Sequence, residues 1–142
     1  MKSPGGTHEF FDHAADVGIR CWASSIGGLF EVAARALMEW AGPAPEGRDS
    51  VSLRVSLEAE DLEALLVRWL QEVLYVFNQR HLYFVAANSI SVAGTALQGE
   101  LLAAPWDPSS CGEYQEIKAI TYHQLRVCEE KGIWHASVIL DI

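Results

Sequence analysis

Val51-Ser52-Leu53-Arg54-Val55-Ser56-Leu57 alternates apolar and polar side chains without a break, and the segment that follows, from Glu60-Asp61-Leu62-Glu63-Ala64-Leu65-Leu66 onward, does not. A period of two puts Val51, Leu53, Val55 and Leu57 on one face of a strand and leaves the other face in water. Beyond Glu60 the apolar residues fall at Leu62, Leu65, Leu66, Trp69, Leu70, Val73, Leu74 and Phe77, the spacing of a helix running to about Asn78. Glu60 and Asp61 place negative charge at the positive end of its dipole. Glu63, Arg68, Gln71 and Glu72 make the solvated side. A half-buried strand that feeds a one-sided helix sets the fold class.

Upstream, the same two periods recur. Residues 1–7 are rich in Gly, Pro and Ser and read as a flexible N-terminal tail, with a single domain over 8–142. His8 to Asp12 is a short strand with Phe10 and Phe11 on opposite faces, and Asp12 to Asp16 a tight polar loop. Val17 to Ser24 is a strand, with Val17, Ile19, Cys21 and Ala23 against Gly18, Arg20 and Trp22. Ser25 is an N-cap for a helix to about Ala41 whose stripe is Ile26, Leu29, Phe30, Ala33, Leu37, Trp40 and Ala41. Gly27 and Gly28 in its first turn cost about 1 kcal/mol each relative to Ala. Gly42-Pro43 ends it.

Downstream, strands are expected near Leu82–Ala87, Ser89–Ala93 and Leu97–Ala103, then an irregular loop from Pro105 to Gly112. Leu125–Glu129 and Ile133–Leu140 flank Glu130-Lys131-Gly132, a hairpin signal. Trp40 and Trp69 sit on apolar stripes, whereas Trp106 and Trp134 have no assigned place. The expected architecture is α+β: a two-layer α/β sandwich with two amphipathic helices packed on one face of a mixed, mostly antiparallel sheet.

Glu116-Ile117-Lys118-Ala119-Ile120-Thr121-Tyr122-His123 is the most chemically loaded stretch. Read as a strand, it puts Ile117, Ala119 and Thr121 on one face and Lys118, Ile120 and Tyr122 on the other. Two acidic places face the question of converging on it: Asp12-His13-Ala14-Ala15-Asp16 and Asp141-Ile142. Asp12, Asp16, Asp107 and Asp141 each also read as turn aspartates bonded to their own backbone. Asp141 differs, because its side chain and the free carboxylate of Ile142 stand side by side. Two anions at one packed point call for a cation or a basic group, and hard oxygen donors suit Ca²⁺, Mg²⁺ or Mn²⁺ rather than zinc. Lys118 is either a solvated strand charge or their neutralising partner. His13 and His123 read first as structural histidines.

Composition narrows the partners. The 142 residues carry a net charge of −9, with half of them hydrophobic and 20% charged. No basic footprint for a phosphate backbone follows, so tight direct binding of nucleic acid is not expected; a basic protein or a divalent cation fits better. Cys21, Cys111 and Cys128 form no C-x-x-C pair, so neither a disulfide framework nor a zinc site is indicated, and Cys21 reads as a small buried hydrophobe. No apolar run marks a signal peptide or a membrane span, and a cytoplasmic protein is expected. Gly27-Gly28 lacks phosphate-loop spacing, and Ser109 and Ser110 lie in no nucleophile elbow.

Phe11-Asp12-His13-Ala14-Ala15-Asp16-Val17-Gly18-Ile19, Glu60-Asp61-Leu62-Glu63-Ala64-Leu65-Leu66, Glu116 to His123 and the final Asp141-Ile142 together resemble the ordered signature blocks of the archease family. The resemblance covers residues 8 to 142. It implies a small non-catalytic protein that activates an RtcB-type RNA ligase of tRNA splicing and RNA repair. Such a protein promotes transfer of guanylate from GTP to the ligase's histidine and supports multiple turnover. It also implies a divalent metal, calcium first and magnesium or manganese as alternatives, carried over to Asp16, Asp141 and Ile142. Asp12, His13, Lys118, Tyr122 and His123 are the supporting residues. Ala14 stands where the family usually has Thr, and Cys111-Gly112-Glu113-Tyr114-Gln115 where many members have a histidine. Two other functions stay open on the residues alone: a metal-dependent hydrolase using the same carboxylates, and a chaperone-like binding module.

Overall fold

A computed structural model describes residues 6–13, 16–46 and 49–142 of the chain, leaving aside the side chains of His13, Ser110 and Cys111. Most of the expected tail lies outside these residues, but Thr7 already belongs to the first strand. The elements in order are β1 (Thr7–His13), β2 (Asp16–Ala23), α1 (Ile26–Ala41), β3 (Val51–Glu58), α2 (Leu62–Arg80), β4 (Leu82–Ala93), β5 (Ala96–Pro105), a 3-10 turn (Pro108–Glu113), β6 (Ala119–Glu130) and β7 (Ile133–Asp141).

The α+β class and the antiparallel pairing are as the two periods require. The single sheet divides into two: a four-stranded sheet in the order β1-β2-β7-β6 and a three-stranded one in the order β3-β5-β4. All of the strand pairs are antiparallel. Both helices touch both sheets, α1 through β2 and β4, and α2 through β6, β3 and β4. Partner choice between strands is a long-range property that hydrophobic alternation does not encode.

Contact with two sheets explains why α1 is buried well beyond one stripe. Val32, Ala34, Ala36 and Met38 join Leu29, Phe30, Ala33, Leu37 and Ala41 inside, while Trp40 stays half-buried at the core's edge. Small residues at 33, 34 and 36 allow that close approach. Ser25 caps the helix by accepting from the Gly28 amide at 3.1 Å. Gly27 has its own reason, since a Cβ there would lie 2.8 Å from the carbonyl oxygen of Ile90 on β4. Asp61 caps α2, accepting from the Ala64 amide at 2.7 Å. α2 runs to Arg80, slightly past the apolar stripe, and ends on His81 in the left-handed region (φ 55°).

The helices and the sheets are joined by polar links as well as by packing. Trp69 donates its indole N–H to the Phe30 carbonyl at 2.8 Å, tying α2 to α1 inside the core. β4 and β6 are edge strands, and each has an amide bonded by a glutamate from a helix. Glu31 accepts from the Ala87 amide at 3.1 Å and from Arg35 at 3.0 Å. Glu63, expected on a solvated face, accepts from the Val127 amide at 3.2 Å. A covered edge neither wastes its donors nor offers them to another chain. Trp106 is placed by an equally specific contact. It stacks on Phe77 at 4.3 Å between ring centroids and donates to the Phe77 carbonyl at 2.9 Å. Trp134 is half-buried against the core.

Two expected strand pairs merge. β4 is one strand from Leu82 to Ala93, with register shifts between Phe84 and Ala86 and between Ala87 and Ser89. β6 joins the end of the 116–123 block to Leu125–Glu129 through an irregularity between Thr121 and Arg126, where Gln124 takes a φ of 52°. Glu31→Ala is expected to lower stability by about 1–3 kcal/mol, read from the denaturant midpoint, because it strands the Ala87 amide and Arg35. Glu31→Gln keeps an acceptor and is expected to lose less.

Candidate metal and partner site

The four-stranded sheet lays its helix-facing residues inward and its alternate residues outward. On β2, Val17, Ile19, Cys21 and Ala23 are buried against the core, so Asp16, Gly18, Arg20 and Trp22 stand on the outer face. On β7, Ala136, Val138 and Leu140 point inward, and His135, Ser137, Ile139 and Asp141 outward.

Register then assembles the site. Asp16 pairs with Asp141 directly across β2 and β7, His13 of β1 pairs with Asp16, and Ala119 of β6 pairs with Asp141. Residues directly opposite on antiparallel strands share a face, with Cβ atoms about 4.5–5.5 Å apart. Asp16 and Asp141 are therefore two carboxylates side by side at one end of the outer face, Asp16 half-buried and Asp141 exposed. The Lys118 amide donates to the Asp141 carbonyl at 2.8 Å and ties the start of β6 to the same row.

The supporting residues divide. His13 lies in the row by register. Asp12 pairs with Val17, one step off the row and on the other face parity, so the structure does not bring it to Asp16 and Asp141. Lys118 lies next to the row with an exposed side chain, and its observed link is made by the backbone. Tyr122 and His123 fall in the irregular part of β6, Tyr122 being 61% exposed, and no β7 residue pairs with either. The face assignment for 117–122 is corrected. Ile117 and Ile120 are both buried and Ala119 is exposed, because the strand starts only at Ala119 and alternation does not extend back through Lys118.

Directly behind the row, Phe11, Gly18 and Ile139 align across β1, β2 and β7. The Phe11 ring lies flat over Gly18, where a Cβ would come within 2.1 Å of it. Arg20 sits 4.0 Å from the centroid of that ring. Ile139 is fully buried on this outer face. The acidic pair thus has an apolar shelf at its back. Sequence reading placed Gly18 and Arg20 on this face but gave them no role, since the close approach of a ring to a glycine leaves no periodic mark.

The donor set fits a hard divalent cation. Two facing carboxylates repel, a cation relieves that repulsion, and oxygen ligands are what calcium, magnesium and manganese take. Among the described residues no third His, Cys, Asp or Glu side chain joins the pair, so a bound cation would need further oxygens from Ile142, the backbone, water or a partner. Cys21 and Cys128 are free thiols. Burial pushes the Cys21 thiol up to about 12, which keeps it protonated and inert.

The model of the Archease protein family matches residues 8–142. The chain belongs to the archease family. Among its relatives, the protein archease of Methanosarcina mazei is 32% identical over 146 residues, with all of both chains covered. That of Pyrococcus furiosus is 30% identical over 139 residues, covering 94% of this chain and 97% of the relative. Among solved structures, Methanobacterium thermoautotrophicum protein 1598 is 28% identical with a TM-score of 0.72, covering 98% of this chain and 99% of that one. A Thermotoga maritima structure described as an archease, possible chaperone, shares the fold at a TM-score of 0.67 and 21% identity, covering 93% and 94%. No helix among the described residues is long and apolar enough to cross a membrane.

Replacing one of two facing carboxylates by its neutral isostere removes a like-charge pair. Asp141→Asn, in metal-free buffer, is expected to raise stability by about 0.2–1 kcal/mol, measured by thermal or denaturant unfolding.

Proposed function

We propose that this archease-family chain is a non-catalytic cytoplasmic activator of an RtcB-type RNA ligase, serving tRNA splicing and RNA repair. The observation that carries the reading is the Asp16–Asp141 pair, in register on an open sheet face, with Lys118 tied to Asp141 through its amide. Such a pair is an incomplete site: it offers oxygen ligands and leaves positions for groups from another molecule. Calcium takes six to eight oxygens. Asp16 and Asp141, with Ile142, would hold the cation. When bound, it supplies positive charge against developing negative charge on phosphate oxygens.

The chain's own part is positioning. β2, β7 and the Lys118 amide fix Asp16 and Asp141 on a rigid sheet, so the pair meets a partner without reordering. The exposed Lys118 side chain stands next to it, and Tyr122 and His123, farther along β6, extend a surface that can dock against the ligase around its nucleotide-bearing histidine. A net charge of −9 suits a basic cleft built to receive RNA. Among the described residues the row sets no nucleophile beside a base and an orienting group, which favours an activator over a hydrolase. A general client-binding chaperone is less favoured. The large exposed apolar side chains Phe10, Val51, Tyr75, Val85, Tyr122 and Ile133 come from six different elements, one from each.

Guanylylation of a purified RtcB-type ligase with labelled GTP, under multiple-turnover conditions, tests this. The wild type is expected to stimulate, and Asp16→Ala and Asp141→Ala to return the rate to that of the ligase alone while keeping wild-type circular dichroism. Full stimulation by both variants would remove the acidic pair from the mechanism. Absence of any stimulation by the wild type, or nucleotide hydrolysis without a ligase, would replace the activator with the enzyme reading.

A further inference from the structure

The outer face of the four-stranded sheet holds a second polar feature beyond the apolar shelf. Register sets Glu9, Arg20, Ser137 and Arg126 in one line across β1, β2, β7 and β6, and Thr7, Trp22, His135 and Cys128 in the next. Arg20, Trp22, Arg126, Cys128, His135 and Ser137 line an open cleft of about 360 Å³, and the Glu130 carboxylate lines it with them. Gln124, in the irregular turn of β6, lines the same cleft and raises its edge. Two of the ten Lys and Arg residues of a chain with net charge −9 therefore flank one serine hydroxyl.

The arginines differ in how they are held. Arg20 is oriented by Glu9 at 2.9 Å and by the Phe11 ring beneath it. Arg126 is exposed and has no ion-pair partner among the described residues. Their Cα atoms stand two strands apart, about 10 Å, so the Arg126 fork can close on an anion over Ser137, and the Arg20 fork joins it by swinging away from Glu9 and the Phe11 ring. Guanidinium pairs with a hydroxyl between them are suited to phosphate. Trp22 is one step along the same face of β2, about 7 Å from Arg20, and presents an indole ring beside that anion position.

We propose that this cleft binds a single nucleotide, with Trp22 stacking on the base and Arg20, Arg126 and Ser137 holding the phosphate. Its volume is at the low end of ligand pockets, which span roughly 300–1,000 Å³, and admits one nucleotide rather than a run of them. The acidic charge of the whole chain opposes tracking of a polyanionic backbone, while one phosphate meets only the local pair of arginines. A carboxylate of a peptide would use the arginines but give Trp22 nothing to do. The site stands on the sheet face itself and does not depend on the ligase reading.

Isothermal titration of the full chain with GMP, with inorganic phosphate, with guanosine and with a single-stranded RNA octamer tests the proposal. GMP is expected to bind at least tenfold tighter than phosphate or guanosine, and no weaker than the octamer per site. Arg126→Ala is expected to weaken GMP by about tenfold or more. Trp22→Ala should reduce GMP to the affinity of phosphate, and Trp22→Phe should restore most of the difference. Glu9→Gln should tighten GMP, since it frees Arg20 from a competing carboxylate, and Arg54→Ala on the other sheet should change nothing. GMP should also protect Cys128 from iodoacetamide, with the buried Cys21 unreacted throughout. No GMP binding at millimolar concentration, unchanged binding in Arg126→Ala, or far tighter binding of the octamer would each overturn the proposal.

Discussion

Antiparallel pairing of β2 with β7 is the constraint on which the rest of this molecule depends. It brings the beginning and the end of the chain into one sheet, and its register runs without a break from Asp16–Asp141 to Ala23–Trp134. Because the side-chain period of a strand is two, that register settles both faces at once. It sends Val17, Ile19, Cys21, Ala136, Val138 and Leu140 into the core, and it sets Asp16 beside Asp141 outside. A slip of one residue would expose the first set and separate the two carboxylates. Burial of the inner face therefore holds the geometry of the outer one, and the acidic pair is kept in place by hydrophobic packing that it does not itself supply.

The helices complete this arrangement. Each is tied to an edge strand by a glutamate: Glu31 of α1 to the Ala87 amide and Glu63 of α2 to the Val127 amide. Both carboxylates serve the sheets, and neither lies in the acidic row. With the inner face of the four-stranded sheet occupied by helices, its outer face is the surface left for other molecules. On it the acidic row, the Phe11–Gly18–Ile139 shelf and the arginine cleft follow one another along β2. Asp16 and Arg20 are four residues apart on that strand, about 13 Å, so opposite charges stand at the two sides of an apolar divide.

The strict alternation of 51–57 and the heptad-like spacing of 62–77 made β3 and α2 legible, and the caps Ser25 and Asp61 behaved as their side chains predict. What escaped was non-local. The division into two sheets depends on which strands find each other, and α1 is wrapped by both because small residues at 33, 34 and 36 permit it. Glu63 looked solvated because a helix-period count cannot see an edge-strand amide arriving from another part of the chain. Of the candidate site, Asp141 and His13 were named from the sequence and Asp16 through the family resemblance, and register sets the three in one row. Asp12 was included as a neighbour in sequence, yet strand parity turns it away. The 117–122 alternation failed because a strand's period begins only where its ladder begins, at Ala119. Arg20, Arg126 and Trp22 gave no motif, since cross-strand register alone makes them neighbours.

The role proposed for the in-register pair of Asp16 and Asp141 is to hold a divalent cation. Titration of calcium, magnesium and manganese chloride into chelator-treated protein, followed by the melting temperature, tests it most directly. A cation at a hundred times its dissociation constant adds about 2.7 kcal/mol of stability. The account predicts a saturable rise for the wild type and none for Asp16→Asn. An equal rise in that variant, or no rise in the wild type with any of the three ions, would contradict it.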